Sequence, residues 1–447
     1  MKFIIFFTVL NLLELSGQNG LDSFSSEQSL SSFSGIESFE KLKSADLIFY
    51  GFPHGAEMPQ IIETNLLKEL IDNDIKYYAP EVSTSQAFFI NKYLETGNKE
   101  YLIYVLQTYN APQDASIQWM NKFLDIRKYL NDNNKSLRII GTDVESSEEL
   151  MITYLSHILP NTISENRIID SLRFYNTLEK PLQIISMGPL FKLAKQYMAE
   201  GKDVDAIFHK SSSQNQDSKR LIRYYLNNKY SFHENFGVDS IQVIELFESY
   251  KSPQNKFKRE ERIFENFEKR IIPLINSGNK VYSNFGYAHV LQSELNKKKY
   301  LAAELKTQYP DLEIYTLLSF LAESEVLNER QYCKSGKMKV RGKKIKTAKF
   351  CGAQNSKSLD GDSENEKIKG IEELINTTKS GNIRTIDIHN IPEALSTELF
   401  YIDYEDNKNA NGLIFNQNLK TLDYYQGLIF IKGSKPNIPY EITDANK

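Results

Sequence analysis

Between residues 45 and 83 the chain alternates in a way that few folds accommodate. ADLIFYGFPHG (45–55) is a short apolar run that ends in glycine, proline and histidine, and IKYYAPEVS (75–83) is a second run ending in a glutamate. Between them, MPQIIETNLLKELIDND places Ile61, Ile62, Leu66, Leu67 and Leu70 on one helical stripe. Runs of this kind, apolar throughout rather than alternating, read as strands covered on both faces, and strand–helix–strand of this length is a βαβ unit with its strands parallel. LRIIGTDVE (137–145), KVYSNFGYAHV (280–290), LEIYTLLSF (312–320), IRTIDIHNI (383–391) and QGLIFIKG (426–433) repeat the strand signature. The stretch at 147–275 is rich in lysine and leucine with helical periodicity. The expected fold class is α/β, a mostly parallel central sheet with flanking helices and a helical insertion (147–275) over the strand carboxyl ends.

Ligands bind outside the carboxyl ends of strands in open α/β sheets. His54, Glu81, Asp143 and His289 all follow apolar runs, and the two histidines share one construction, Gly51-x-x-His54 and Gly286-x-x-His289. Each has an ordinary alternative. A histidine after a strand anchors loops through its two nitrogens, Glu81 precedes the helical STSQAFFINKYL where an acid suits the helix dipole, and Asp143 has the chemistry of a cap. Convergence of four such residues is the argument for function.

The amino terminus, MKFIIFFTVLNLLELSGQNG, is one lysine and a short apolar run followed by small and polar residues, the layout of a secretory signal peptide at 1–17 with an uncleaved anchor as the alternative. No other stretch approaches 18 apolar residues, so an exported chain, periplasmic or extracellular and without a transmembrane helix after cleavage, is expected. Residues 18–44 hold many serines among scattered phenylalanines and read as a loosely structured leader before a main domain at 45–447. A formal net charge of -4 gives no electrostatic reason for a nucleic-acid partner; a small-molecule substrate is the expected one. Cys333 and Cys351 flank KSGKMKVRGKKIKTAKF, eight basic residues with no acid, alternating as a hairpin that turns near Arg341 and Gly342. In an oxidising compartment the expectation is a disulfide closing a basic flap at 330–355, contributing about 3 kcal/mol.

HGAEMPQIIETNLLKELIDNDIKYYAPEVSTSQAFFINKYLETGN resembles the opening block of the erythromycin esterase-like proteins, in which a His-Gly pair starts a helix and a glutamate ends the next strand. REERIFENFEKRIIPLINSGNKVYSNFGYAHV is similar to that family's later block, with an arginine and an asparagine on a helix before the strand of a second histidine, and YYQGLIFIKGSKP is similar to its final strand. The likeness spans 45–436, with the insertion alike only in character. The paired Gly-x-x-His motifs also resemble the wider superfamily of EreA, ChaN, TraB and TIKI proteins. The resemblance implies an exported hydrolase with His54 as general base, Glu81 as the strand-end carboxylate, Arg259 as the helix arginine, His289 as the second histidine and Asp143 as the acid after the third strand. The chain departs from the family where a glutamate usually precedes the first histidine, since Gly51, Phe52 and Pro53 stand there. It departs again where an arginine is usual on the first helix, near Glu63 and Thr64.

The chemistry can also be built from the residues. A neutral imidazole held by a carboxylate takes a proton from water near pH 7, which suits His54 with Glu81, and Arg259 with His289 can stabilise an oxyanion. No Gly-x-Ser-x-Gly elbow is present and neither cysteine has a site-like context, so direct attack by water on an ester, with no cofactor required, is favoured. Two further readings stay open. His54, Glu81 and His289 could hold a divalent metal in a TIKI- or TraB-like hydrolase or protease, and a ChaN-like haem- or iron-binding module would use the fold without catalysis.

Overall fold

The computed structural model describes residues 24–106, 115–147, 258–295, 298–327, 372–391, 418–438 and 440, short pieces at 150–151, 154, 245–246 and 248–249, and strand backbone at 332–340, 343–350, 356–359, 362–363, 366–368 and 402–403. Its main sheet has eight strands: β1 Ser26–Ser29, β2 Leu47–Phe52, β3 Tyr77–Pro80, β4 Arg138–Ile139, β5 Val281–Gly286, β6 Ile314–Ala322, then, after β7 Ser324–Leu327, β8 Tyr332–Val340 and β9 Lys343–Phe350 outside it, β10 Asn382–Asp387 and β11 Gly427–Lys432. Their order is β1-β10-β11-β6-β2-β5-β3-β4. The pairs β11/β6, β6/β2 and β2/β5 are parallel, while β10 runs antiparallel to both its neighbours. This is the mixed α/β fold with a mostly parallel sheet and flanking helices. Every residue of β2 is buried, as its unbroken apolar run requires.

The chain divides into two compact units, 1–78 with 111–137 and 274–447, and 79–110 with 138–273. In the first, helix α1 (Glu57–Asp72) carries Pro59 in its first turn, where a missing N–H costs nothing, and buries Ile62, Leu66, Leu67, Leu70 and Ile71. In the second, helix α2 (Thr84–Thr96) opens on a capping box between Ser83 and Gln86 and stops at Gly97, whose φ of 77° is the left-handed C-terminal geometry glycine provides. Helix α3 (Ile117–Asp132) belongs to the first unit and helix α4 (Arg259–Arg270) to the second. The short helix α5 (Tyr287–Val290) and helix α6 (Leu301–Gln308) follow β5.

The serine-rich leader differs from its expected looseness from Ser26 onward. β1 adds a strand beside β10, Phe39 and Leu42 are fully buried, and Glu69 of α1 accepts from the Ile36 amide at 2.9 Å. Phenylalanine and leucine among the serines supply apolar area that the composition conceals. The basic stretch forms the expected hairpin, β8 against β9 with Val340 opposite Lys343. The pairing of Cys333 with Cys351, the signal segment 1–17 and most of the insertion 147–275 lie outside the described residues. Among the described residues no helix is long and apolar enough to cross a membrane.

Candidate active site

In the first unit β2 ends at Phe52 and the chain turns through His54 and Gly55 into α1. Gly55 has φ +89°, and a Cβ there would lie 2.6 Å from the Leu327 carbonyl oxygen. The Gly55 oxygen accepts from Leu327 N at 3.0 Å and Asn437 N at 2.7 Å. Only glycine tolerates both the left-handed backbone and that approach, so the turn presenting His54 is clamped from two sides. On the neighbouring strand, β5 ends at Gly286, which pairs with Phe52, and His289 follows on α5.

The two Gly-x-x-His motifs serve each other. A Cβ built on Gly286 would lie 3.0 Å from His54 Nε2 and 3.7 Å from His289 Cδ2, so both imidazoles converge over the space a side chain there would take. A Cβ on Gly51 would lie 2.4 Å from Val290 Cγ2 and 3.1 Å from the Tyr287 Cα, so Gly51 lets α5, which carries His289, close on β2. Each glycine admits the histidine, or the helix of the histidine, from the other motif. Aromatic rings frame the pair: Phe52 at 5.9 Å from the His54 ring, Phe285 at 5.7 Å and Tyr300 at 5.9 Å from that of His289. His54 is exposed and His289 half-buried, a placement open to water and small molecules.

Glu81, Asp143 and Arg259 meet in the second unit. Glu81 follows β3 directly, and Asp143 is set beside the 82–83 segment by the bonds of Thr142 N and Asp143 N to the Val82 oxygen, both 3.0 Å. Arg259, the first residue of α4, donates to Asp143 through Nε (2.9 Å) and one terminal nitrogen (2.7 Å) in a two-pronged fork, and the same terminal nitrogen reaches Glu81 at 2.5 Å. Further along the same helix face, Asn266 donates to the Thr142 oxygen at 2.8 Å, and Arg270 bonds the Gly141 oxygen at 2.7 Å and the Thr84 hydroxyl. The spacing 259, 266, 270 keeps all three on one side of the helix. Burial acts to depress the Arg259 guanidinium, but the charges and hydrogen bonds of Asp143 and Glu81 outweigh it and hold the pKa above its ordinary value. Its NH1 nitrogen has no partner among the described residues. Asp143 clamps Arg259 through both of its carboxylate oxygens.

Four residues to which the sequence pattern assigned no role, Glu63 among them, form a buried group in the first unit. Glu63 of α1 accepts from Lys122 Nζ of α3 at 3.0 Å, and Tyr78 of β3 makes a short contact with Glu63, receives Lys122 at 3.1 Å and bonds Asn284 Oδ1 of β5 at 2.7 Å. All four are at most 6% exposed. The available signal was a charge inside an apolar stripe, Glu63 after Ile62 and Lys122 before Phe123.

Among the described residues no group of three or more His, Cys, Asp or Glu side chains is placed to hold a metal ion. No protein-family model matches the chain, and no curated protein does. Solved structures do. A Bacillus cereus protein matches at 13% identity and a TM-score of 0.53, covering 94% of this chain and 98% of its own. A succinoglycan biosynthesis protein matches at 12% identity and the same TM-score, over 94% and 97%. A histidine-to-asparagine mutant of the erythromycin esterase EreC, in its open conformation, matches at 9% identity and a TM-score of 0.53, over 92% and 98%. The chain has the erythromycin esterase-like fold. At these identities the likeness is one of fold, and the chemistry has to be argued from the residues.

Proposed function

We propose that this chain is an exported hydrolase that cleaves an ester, or a lactone or related acyl bond, by attack of water activated at His54. The observation that carries the reading is the convergence of His54 and His289 over Gly286, just past the carboxyl ends of two adjacent parallel strands. An imidazole is half-neutral near its ordinary pKa of about 6.5, so at pH 7 it accepts a proton readily. His54 takes a proton from water as the water oxygen attacks the carbonyl carbon. The carbonyl electron pair moves to oxygen, where His289 donates a hydrogen bond. On collapse the C–O bond to the alcohol breaks, and the leaving oxygen takes the proton from the His54 imidazolium. The products are an acid and an alcohol, and the base is regenerated. Glu81, Asp143 and Arg259 are assigned to the same reaction by the sequence resemblance alone. The signal-like segment at 1–17 supports export.

The test is a panel of carboxylic esters and lactones with the wild-type chain and His54→Ala. Turnover should fall at least about a hundredfold, the scale of a lost general base, while the thermal melt stays put. Wild-type rates in His54→Ala would remove the mechanism.

A further inference from the structure

Beneath the paired imidazoles lies a polar group with an unused donor. β5 alternates its faces, so Asn284 points to the same side of the sheet as the vacant Cβ position of Gly286, about 6.6 Å back along the strand. That vacant position is the one His54 Nε2 approaches to 3.0 Å. Asn284 is therefore one pleat below the two imidazoles. Its side chain is 94% buried by the exposure of 6%, and its Oδ1 is tied to Tyr78 Oη at 2.7 Å. Among the described residues its Nδ2 has no hydrogen-bond partner. The nitrogen keeps some contact with solvent rather than being sealed in the core, so its two N–H donors are open to a ligand while the oxygen held by Tyr78 fixes the plane of the amide.

The rigidity comes from the Lys122–Glu63 pair. Lys122 donates to Tyr78 Oη and to Glu63, and Glu63 contacts Tyr78 in turn, so the phenol oxygen is fixed from two sides before it meets Asn284. A buried ion pair contributes little net stability over apolar packing, and its use here is orientation. We propose, building on the hydrolase reading, that Asn284 is a further substrate-contacting residue: its Nδ2 donates to the oxyanion, and Tyr78, Lys122 and Glu63 are positioning residues that set the amide's direction. Fixed donors aimed at developing charge need no reorganisation when the charge appears.

The experiment uses the full chain, a tetrahedral oxyanion probe (a phenylphosphonate monoester) and calorimetric binding to wild type, His54→Ala, Asn284→Ala, Asn284→Leu and Tyr78→Phe, each checked by circular dichroism. Asn284→Leu keeps the volume and guards against a collapse artefact. Both Asn284 variants are expected to bind the probe at least about tenfold more weakly, and Tyr78→Phe, which frees the amide, to lie between them and wild type. With an ester that the wild type cleaves, kcat should drop about a hundredfold in the Asn284 variants, the scale of a lost oxyanion donor, with KM within about threefold. Weakening in His54→Ala alone overturns the Asn284 assignment and leaves the hydrolase reading standing. A wild type that neither binds the probe nor cleaves any ester overturns both.

Discussion

Replacing Gly286 by alanine separates a role in the site from a role in the fold. Gly286 sits at φ -53° and ψ 141°, a conformation any residue adopts, so the backbone accepts alanine without strain. By narrowing the unfolded ensemble the change contributes roughly 0.4–1 kcal/mol in favour of the folded state. Against this, the new methyl lies 3.0 Å from His54 Nε2, about half an ångström inside a comfortable contact, and 3.7 Å from His289 Cδ2, an ordinary one. His54 is exposed and yields by rotating, at about 0.5–1.5 kcal/mol if it is forced off its rotamer. The two effects nearly cancel, and stability should stay within about 1 kcal/mol of wild type. Catalysis has less tolerance: with about 1 Å of misplacement costing roughly a hundredfold, half of that predicts a loss near tenfold. Gly51→Ala is the contrast, because its methyl would meet Val290 Cγ2 at 2.4 Å, Leu318 Cδ2 at 2.7 Å and the Tyr287 Cα at 3.1 Å in a closed core. Overpacking there should destabilise by about 1–3 kcal/mol. Urea denaturation, ester turnover and the imidazole proton–nitrogen NMR signals measure the three consequences. Unchanged His54 signals and full turnover in Gly286→Ala, or a stability loss equal to that of Gly51→Ala, would refute the convergence argument.

Lys122→Met leaves Glu63, which is 0% exposed, without its cation and should cost about 3–5 kcal/mol in urea denaturation, whereas Lys122→Met with Glu63→Leu should recover most of it; a single variant as stable as wild type would deny the ion pair its part in the core. Glu145 accepts from Ser85 N at 2.9 Å and from its hydroxyl at 2.5 Å, and burial, outweighing these bonds, raises its carboxyl above the usual carboxylate range. The folded state therefore holds the Glu145 proton more tightly than the unfolded chain, so its contribution is full below about pH 4.5 and is lost as pH rises through the folded pKa. The melting temperature of wild type relative to Glu145→Gln should fall as pH is raised from 4.5, and a flat or rising difference would count against it. Arg259→Lys cannot reproduce the fork on Asp143 and should lower ester turnover with little change in melting temperature, since the pair is partly exposed. Turnover equal to wild type would take Arg259 out of the reaction.

Local sequence determined which segments are strands and where each one stops, because a strand buried on both faces must be apolar throughout and must end where polar residues begin. The seven runs read as strands from 45 onward are β2 to β6, β10 and β11. It also determined the Gly-x-x-His pairs, but not what their glycines do. Gly51 admits α5 and Gly286 admits His54, contacts between residues more than 200 positions apart that no local pattern encodes. The leader shows the same limit, since serine content suggested looseness while Phe39 and Leu42 found a core to fill.

Strand direction is the clearest case. IRTIDIHNI ends a strand with Asp387 and His389 just as VYSNFGYAHV leads to His289, and the Asp387 carboxylate lies 3.1 Å from His389 Nδ1, a better oriented dyad on paper than either candidate. Yet β10 runs antiparallel to β11, with Asp387 opposite Gly427 where β11 begins, so His389 emerges at the amino ends of the parallel strands. Periodicity reports that a segment is a strand and is blind to which way it runs, because inward and outward faces repeat every two residues in either direction. Only pairing in the sheet decides which polar strand ends share a side, and that decision selects His54 and His289 as a pair and leaves His389 apart.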